Sequence, residues 1–220
     1  MKINTLGTGS KGNCYILTSG KTNKQIVLDC GVSFYDVTHN DNFNGIDNLD
    51  FVFVSHEHKD HSEHKKDFLY AGCTIVDFET RRPLKIGQWE ILTFEVVHNV
   101  PNLGIIIKDT LEDKTFCYVT DFSQMPIIKN VDFWLYEINH DEQTIMKALQ
   151  KNTNDSRHIT NSLNNHNSLE KAERYFSNEK IKRPDKIVIC HLSRDYGNND
   201  NILKTMKRFA KNVRIARKGD

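Results

Sequence analysis

The sequence has no run of eighteen apolar residues, so no segment is expected to span a membrane. Its opening, Met1 to Gly7, carries neither an apolar signal run nor a cleavage site. The cysteines, Cys14, Cys30, Cys73, Cys117 and Cys190, are odd in number and form no CxxC pair. That argues against a disulfide scaffold or a cysteine zinc ribbon and implies a reducing, cytoplasmic setting. A dominant charge is missing too: 30 Lys and Arg stand against 29 Asp and Glu, a net charge of +1. No global pull toward nucleic acid follows, and any basic footprint must be local. No Gly/Pro-rich linker or internal repeat divides the chain, so residues 1–220 are expected to form one domain.

What is present is β-rich in the first two thirds. Short apolar runs bounded by turn residues lie at Cys14–Leu17, Gln25–Leu28, Phe51–Val54, Thr74–Val76, Trp89–Val97, Gly104–Lys108, Phe116–Thr120 and Phe133–Ile138. Several are continuously apolar, which requires cover on both faces and places helices outside the sheets. Helical spacing is read at Asp60–Tyr70, Asp141–Gln150, Ser168–Phe176 and Asn201–Lys211, with a last strand at Lys186–Cys190. Residues 151–167 are polar, Asn-rich and without a clear period, and read as a long loop. The order of elements predicts an α/β fold of two sheets with helices outside, a four-layer αββα sandwich.

The ten histidines carry the chemistry. Phe51-Val52-Phe53-Val54 runs into Ser55-His56-Glu57-His58-Lys59-Asp60-His61. In extended chain, residues two apart share a side, so His56 and His58 present their imidazoles together. A turn into helix at Asp60 brings Asp60 and His61 back to the same point. Three imidazoles and a carboxylate at this spacing suit a borderline metal such as zinc, iron or manganese.

This cluster resembles that of the metallo-β-lactamase superfamily of binuclear metallohydrolases. Leu6-Gly7-Thr8-Gly9-Ser10-Lys11-Gly12-Asn13 is similar to the family's first hairpin loop, and Ile26-Val27-Leu28-Asp29-Cys30-Gly31 to its strand ending in Asp-x-Gly. His98, Asp121 and His191 each follow an apolar run, as the later family motifs do. The resemblance implies that His56, His58 and His98 hold one metal, that Asp60, His61 and His191 hold a second, and that Asp121 bridges them. It implies two divalent ions, zinc first and manganese as the alternative, that activate water. Asp29 is expected to accept a ligand imidazole's other N–H, or else to cap the turn at Gly31.

Asp121 stands where the antibiotic-hydrolysing members carry cysteine. The stretch after His191 is too short for a glyoxalase-type helical domain or a flavin domain. The interval from Asp121 to His191 is too short for the inserted domain of the RNA-cleaving β-CASP enzymes. Gly9 to Asn13, Glu137-x-Asn139-His140-Asp141 and His191-Leu192-Ser193-Arg194-Asp195 together resemble the YycJ/WalJ-type phosphodiesterases, which are related to ribonuclease Z. The catalytic candidates on this resemblance are Asp60, His166 and His140. His166 is the general acid that protonates a leaving oxygen, with His140 its rival. Phe122 replaces the threonine usual after the bridging aspartate. Ser10, Asn13 and Arg194 are expected to contact substrate, Arg194 by steering a phosphate. Lys204, Lys207, Arg208 and Lys211 form one helical stripe, read either as a solvated face or as a polyanion track.

The function expected is a two-metal phosphodiesterase acting on nucleic acid, a DNA exonuclease-like nuclease. One alternative is a cyclic-nucleotide phosphodiesterase of the phage type, whose closed pocket would be completed by a homodimer partner. A second, of another class, is a catalytically idle metal-binding interaction module. No membrane partner is expected.

Overall fold

The structure is a computed structural model and describes residues 1–80, 82–150 and 156–220. Twelve strands form two sheets. The first has the order β1 (Lys2–Gly7), β2 (Cys14–Thr18), β3 (Gln25–Leu28), β4 (Leu49–Phe53), β5 (Ile75–Val76). The second has the order β12 (Asn212–Ile215), β11 (Lys186–Cys190), β10 (Phe133–Glu137), β9 (Lys114–Val119), β8 (Asn102–Asp109), β7 (Trp89–Val96), β6 (Leu84–Ile86). Each sheet is part parallel and part antiparallel. β3, β4 and β5 run parallel in the first, and β9 to β12 in the second.

The period of two in β4 shows how the layers arise. Phe51 and Phe53 point into the core between the sheets, with Ile26, Leu28, Ile105, Tyr118 and Val188. Val52 and Val54 point the other way, onto a second core shared with Val37 of α1 (Phe34–Thr38) and Phe68 of α3 (Lys65–Tyr70). Phe68 is wholly buried, a contribution of roughly 2–3 kcal/mol from that side chain alone. On the far face of the second sheet, Leu169, Ala172 and Phe176 of α6 (Leu169–Phe176) pack with Ile202 and Met206 of α7 (Asn199–Met206) over Val119, Tyr136 and Ile189. The expected αββα order is therefore the one observed. No described helix is long and apolar enough to cross a membrane.

Four local expectations are corrected. Asp60–Tyr70 is not one helix but α2 (Lys59–Ser62) and α3. Cys30 breaks it: its N–H donates to His61 C=O at 2.8 Å and its C=O accepts from His64 N–H at 3.0 Å. The supposed long loop contains α5 (Ser156–Asn165), which follows α4 (Glu142–Gln150); residues 151–155 of it lie outside the described residues. Buried Ile159 of α5 packs on Ile145 of α4 and on Tyr196. The basic helix stops at Met206, not Lys211, and Asn198 caps its start through Asn201 N–H. Strands β1, β6 and β12 went unread. β12 is short and half-exposed, and β1 pairs its polar Asn4 side chain with Asp220 C=O at 3.2 Å.

Candidate metal centre

The parallel strands of both sheets end at one edge of the sandwich, and several of the candidate ligands lie just past those strand ends. Asp29 follows β3, His56 and His58 follow β4, Asp121 follows β9 and His191 follows β11. His98 follows the antiparallel β7. Asp29, Asp121 and His191 all have left-handed backbones, with φ of 58°, 51° and 51°. A residue there turns off its strand at once, and Asp and His tolerate the conformation better than most. Asp60 comes in on α2, where Asn13 N–H donates to its C=O at 2.7 Å. A Cβ on Gly31 would lie 1.9 Å from that same carbonyl oxygen, so only glycine allows the approach.

The first ligand group is His56, His58, His98 and Asp121. The hydrogen-bond network assigns the ring protons. His56 Nδ1–H donates to Ser55 Oγ at 3.0 Å, because that hydroxyl gives its own proton to Asp29 Oδ2 at 3.0 Å. His98 Nδ1–H donates to the Asn165 C=O at the end of α5, at 3.1 Å. Both Nε2 atoms are then bare, and both face His58 Nδ1, at 3.1 and 3.3 Å. One proton on His58 could satisfy only one of them. A cation among the three nitrogens satisfies all, so the donor set fits a metal.

The second group is Asp60, His61 and His191. His61 Nδ1–H donates to Asp29 Oδ2 at 2.5 Å, which turns its Nε2 toward Asp60 Oδ2 at 3.4 Å and Asp121 Oδ2 at 3.6 Å. His191 Nε2 lies 3.4 Å from Asp60 Oδ2. Asp121 faces both groups: Oδ2 is 3.8 Å from His56 Nε2 and Oδ1 is 3.4 Å from His191 Nδ1. Thr120 Oγ1 donates to Asp121 Oδ1 at 2.8 Å, supplying from before the aspartate the hydroxyl that Phe122 lacks.

Beside Asp121, His166 Nδ1–H donates to Glu137 Oε1 at 2.7 Å. Glu137 is fully buried and its other oxygen accepts from Phe122 N–H at 3.2 Å and Asn167 N–H at 3.4 Å. Asp121, Glu137, His166 and His191 also lie within ligating reach of one another. Glu137 already accepts from these three donors, and its Oε1 stands 3.3 Å from His191 Nδ1. Burial disfavours the His166 imidazolium, but the Glu137 carboxylate outweighs it and raises the pKa. Burial likewise opposes charge on His61, where Asp29 and then Asp121 win and lift it to about 10. His56, buried and ringed by other imidazoles, is pushed down.

These side chains open into a cleft of about 400 Å³ lined by His58, Asp60, His98, Asp121, His166 and His191. Ser10 and Arg194, the expected substrate contacts, stand exposed on its rim. Asn13 does not line it. Its side chain is buried, accepts from Gly9 N–H at 2.8 Å and donates toward Asp60 and His61, so it braces the glycine loop against the ligands rather than meeting substrate. His140 does not line it either. The ring is 1% exposed behind Glu137, its Nδ1 has no partner among the described residues, and burial lowers its pKa to about 4. Asp29 is fully buried beneath the ligands.

Sequence reasoning missed several contributors. Glu137 stood in a quoted motif without a role. Tyr118 OH donates to Asp29 Oδ2 at 2.5 Å, but in the sequence it is one more strand tyrosine. α5 supplies one wall of the cleft through His158, Asn161 and Ser162.

No protein-family model matches the sequence, and no curated protein matches it. Among solved structures, YhfI from Bacillus subtilis, a metallo-β-lactamase fold protein, is similar at a TM-score of 0.71 and 19% identity, over 99% of this chain and 97% of that one. Unliganded yeast PDE1 is similar at 0.65 and 10%, over 99% and 97%. The short form of human tRNase Z is similar at 0.63 and 14%, over 100% and 98%.

Proposed function

We propose that this chain, which has the metallo-β-lactamase fold, is a metal-dependent hydrolase of phosphodiester bonds acting on nucleic acid, in the manner of a nuclease. The observation that carries the reading is Asp121: two ligand groups converge on it, and the Glu137–His166 pair stands beside it in the same cleft. His56, His58 and His98 would hold one divalent ion, Asp60, His61 and His191 the other, with Asp121 shared. Zinc suits this nitrogen and carboxylate set first, manganese second. Such ions supply a water activated near neutral pH and positive charge for the phosphoryl oxygens.

The chain's own residues do the rest. Asp29 and the Asn165 carbonyl fix the tautomers of His61 and His98. Glu137 accepts a hydrogen bond from His166 Nδ1–H and its charge favours the imidazolium, so that a protonated Nε2 is left to face the cleft. From there His166 gives a proton to the departing oxygen. Arg194 and Ser10 meet the substrate's phosphate at the rim. His140 is not needed in this scheme, because it does not reach the cleft.

A second reading, hydrolysis of a cyclic mononucleotide, is favoured by the cleft's volume of about 400 Å³, which suits one nucleotide. The test is one panel: protein loaded with zinc or manganese, incubated with single-stranded DNA, duplex DNA, RNA, cyclic nucleotides and bis-nitrophenyl phosphate. Cleavage of the polymers supports the first reading. Turnover of a cyclic nucleotide alone moves the assignment to the second. No turnover of any phosphodiester would sink both.

A further inference from the structure

The metal cleft continues into a second groove of about 650 Å³. The two share Thr8, Lys11, Leu192, Ser193 and Arg194 along a common rim. Beyond that rim the groove passes Gly7 and Gly12 and reaches Arg217 and Lys218. Four cations line it, Lys11, Arg194, Arg217 and Lys218, and no carboxylate does. All four are exposed, and none has an ion-pair partner among the described residues. Nearby cations differ. Arg208 pairs with Glu173 at 2.7 Å, Lys211 with Asp185 at 2.5 Å and Arg214 with Asp220 at 2.8 Å. Two members of the basic stripe legible in the sequence are thus neutralised; its other two, Lys204 and Lys207, have no ion-pair partner among the described residues but do not line this groove. In a chain of net charge +1, this groove is a local concentration of positive charge without a lining carboxylate.

The far end of the groove is also held in place. Asp220 C=O accepts from Thr5 N–H at 3.1 Å, Gly219 N–H donates to Thr5 C=O at 2.9 Å, and Arg217 N–H donates to the Asp220 carboxylate at 2.9 Å. Arg217 and Lys218 therefore sit on a turn stitched to β1. The floor is bare backbone at Gly12, where φ is 130° and a Cβ would lie 2.4 Å from Gly31 C=O.

We propose that this groove binds the phosphate backbone of a single nucleic-acid strand whose reacting phosphodiester lies in the metal cleft. The inference rests on the phosphodiesterase reading and adds the path of the polymer. A mononucleotide is contained by the cleft and leaves the groove unused. A strand occupies both, and its successive phosphates meet cations that have no ion-pair partner among the described residues.

Binding is measured without turnover, by fluorescence anisotropy of a labelled fifteen-nucleotide oligo-dT in EDTA, across a salt series. Arg217→Gln/Lys218→Gln should weaken binding about tenfold or more at low salt and flatten the log–log salt slope by about 1.4, the value for two phosphate contacts on a single strand. Arg208→Gln/Lys211→Gln, whose cations are already paired, should stay within about twofold of the unmodified protein. Hydrolysis of bis-nitrophenyl phosphate by the metal-loaded Arg217/Lys218 variant should be unchanged, which also shows that it is folded. Unchanged oligo-dT affinity and slope in that variant would overturn the groove. Tighter binding of a duplex of equal length would overturn the single-strand assignment. Failure of the unmodified protein to hydrolyse bis-nitrophenyl phosphate would count against the phosphodiesterase reading alone, since the EDTA measurement still decides the groove.

Discussion

Asp29 holds His61 from below: its Oδ2 accepts the imidazole Nδ1–H at 2.5 Å while taking the Tyr118 hydroxyl at 2.5 Å on the same atom. Oδ2 also takes the Ser55 hydroxyl at 3.0 Å and Oδ1 takes Ser55 N–H at 2.8 Å, so four donors converge on this buried carboxylate. The orientation of one ligand is thereby tied to the inter-sheet core, since Tyr118 belongs to it.

Asp29→Asn keeps the size and the tolerance for a left-handed backbone but replaces one acceptor with an amide N–H₂. Zinc affinity should fall by about 10–100-fold. Competition against a chromogenic chelator reads this directly. Affinity within twofold of the unmodified protein would show that Asp29 only caps its turn.

Among the described residues, Asp121 is the carboxylate that faces both ligand groups. In Asp121→Ala, elemental analysis after reconstitution should find one metal or fewer per chain, against two in the unmodified protein. Turnover should drop more than 100-fold. Activity within about threefold, less than ~1 kcal/mol of barrier, would place the bridge elsewhere.

His166→Ala should lower kcat by ~10²–10⁴ at full metal content, and the loss should shrink for a substrate with a nitrophenolate leaving group, which departs without a proton. Glu137→Gln should give the same leaving-group dependence, because Glu137 fixes the ring. An equal loss on good and poor leaving groups would assign the pair to binding.

His140 gives a pH dependence of stability. Burial lowers its folded pKa to about 4 from an ordinary 6.5. The unfolded chain therefore binds this proton first as the pH falls. The contribution is fully present above about 6.5 and is lost between about 6.5 and 4, to a total of up to ~3 kcal/mol. Chemical unfolding of the metal-free protein across that range should show a flatter profile in His140→Asn. Parallel profiles would refute the assignment.

Much of the site was legible because its residues are chemically rare and stand at strand ends. His56 to His61 needed only the alternation of an extended chain followed by a helical turn. The layers were legible from Phe51-Val52-Phe53-Val54, where apolar residues on both faces demand cover on both. α5 was not legible. It buries Ile159 and the small Ser162 among exposed asparagines, so its apolar stripe is too thin to stand out from loop composition. Yet its last carbonyl orients His98. Glu137 was quoted without a role because a glutamate ending a strand is ordinary until His166, remote in sequence, is brought against it. Asn13 misled for the opposite reason: a polar residue in a glycine loop suggests a ligand, whereas here the loop itself consumes its side chain.

The three left-handed strand ends have a practical consequence for anyone building variant libraries. Asp29, Asp121 and His191 occupy a backbone region closed to β-branched residues and comfortable chiefly for Gly, Asn and Asp. A deep mutational scan scored only for soluble expression should thus return Asn and Gly as the tolerated replacements at all three and reject Val, Ile and Thr. Exposed Asn23, Asp113 and Asn130 share the conformation, so the fingerprint at buried positions is what would betray the hub of the site even in a screen blind to catalysis and metal.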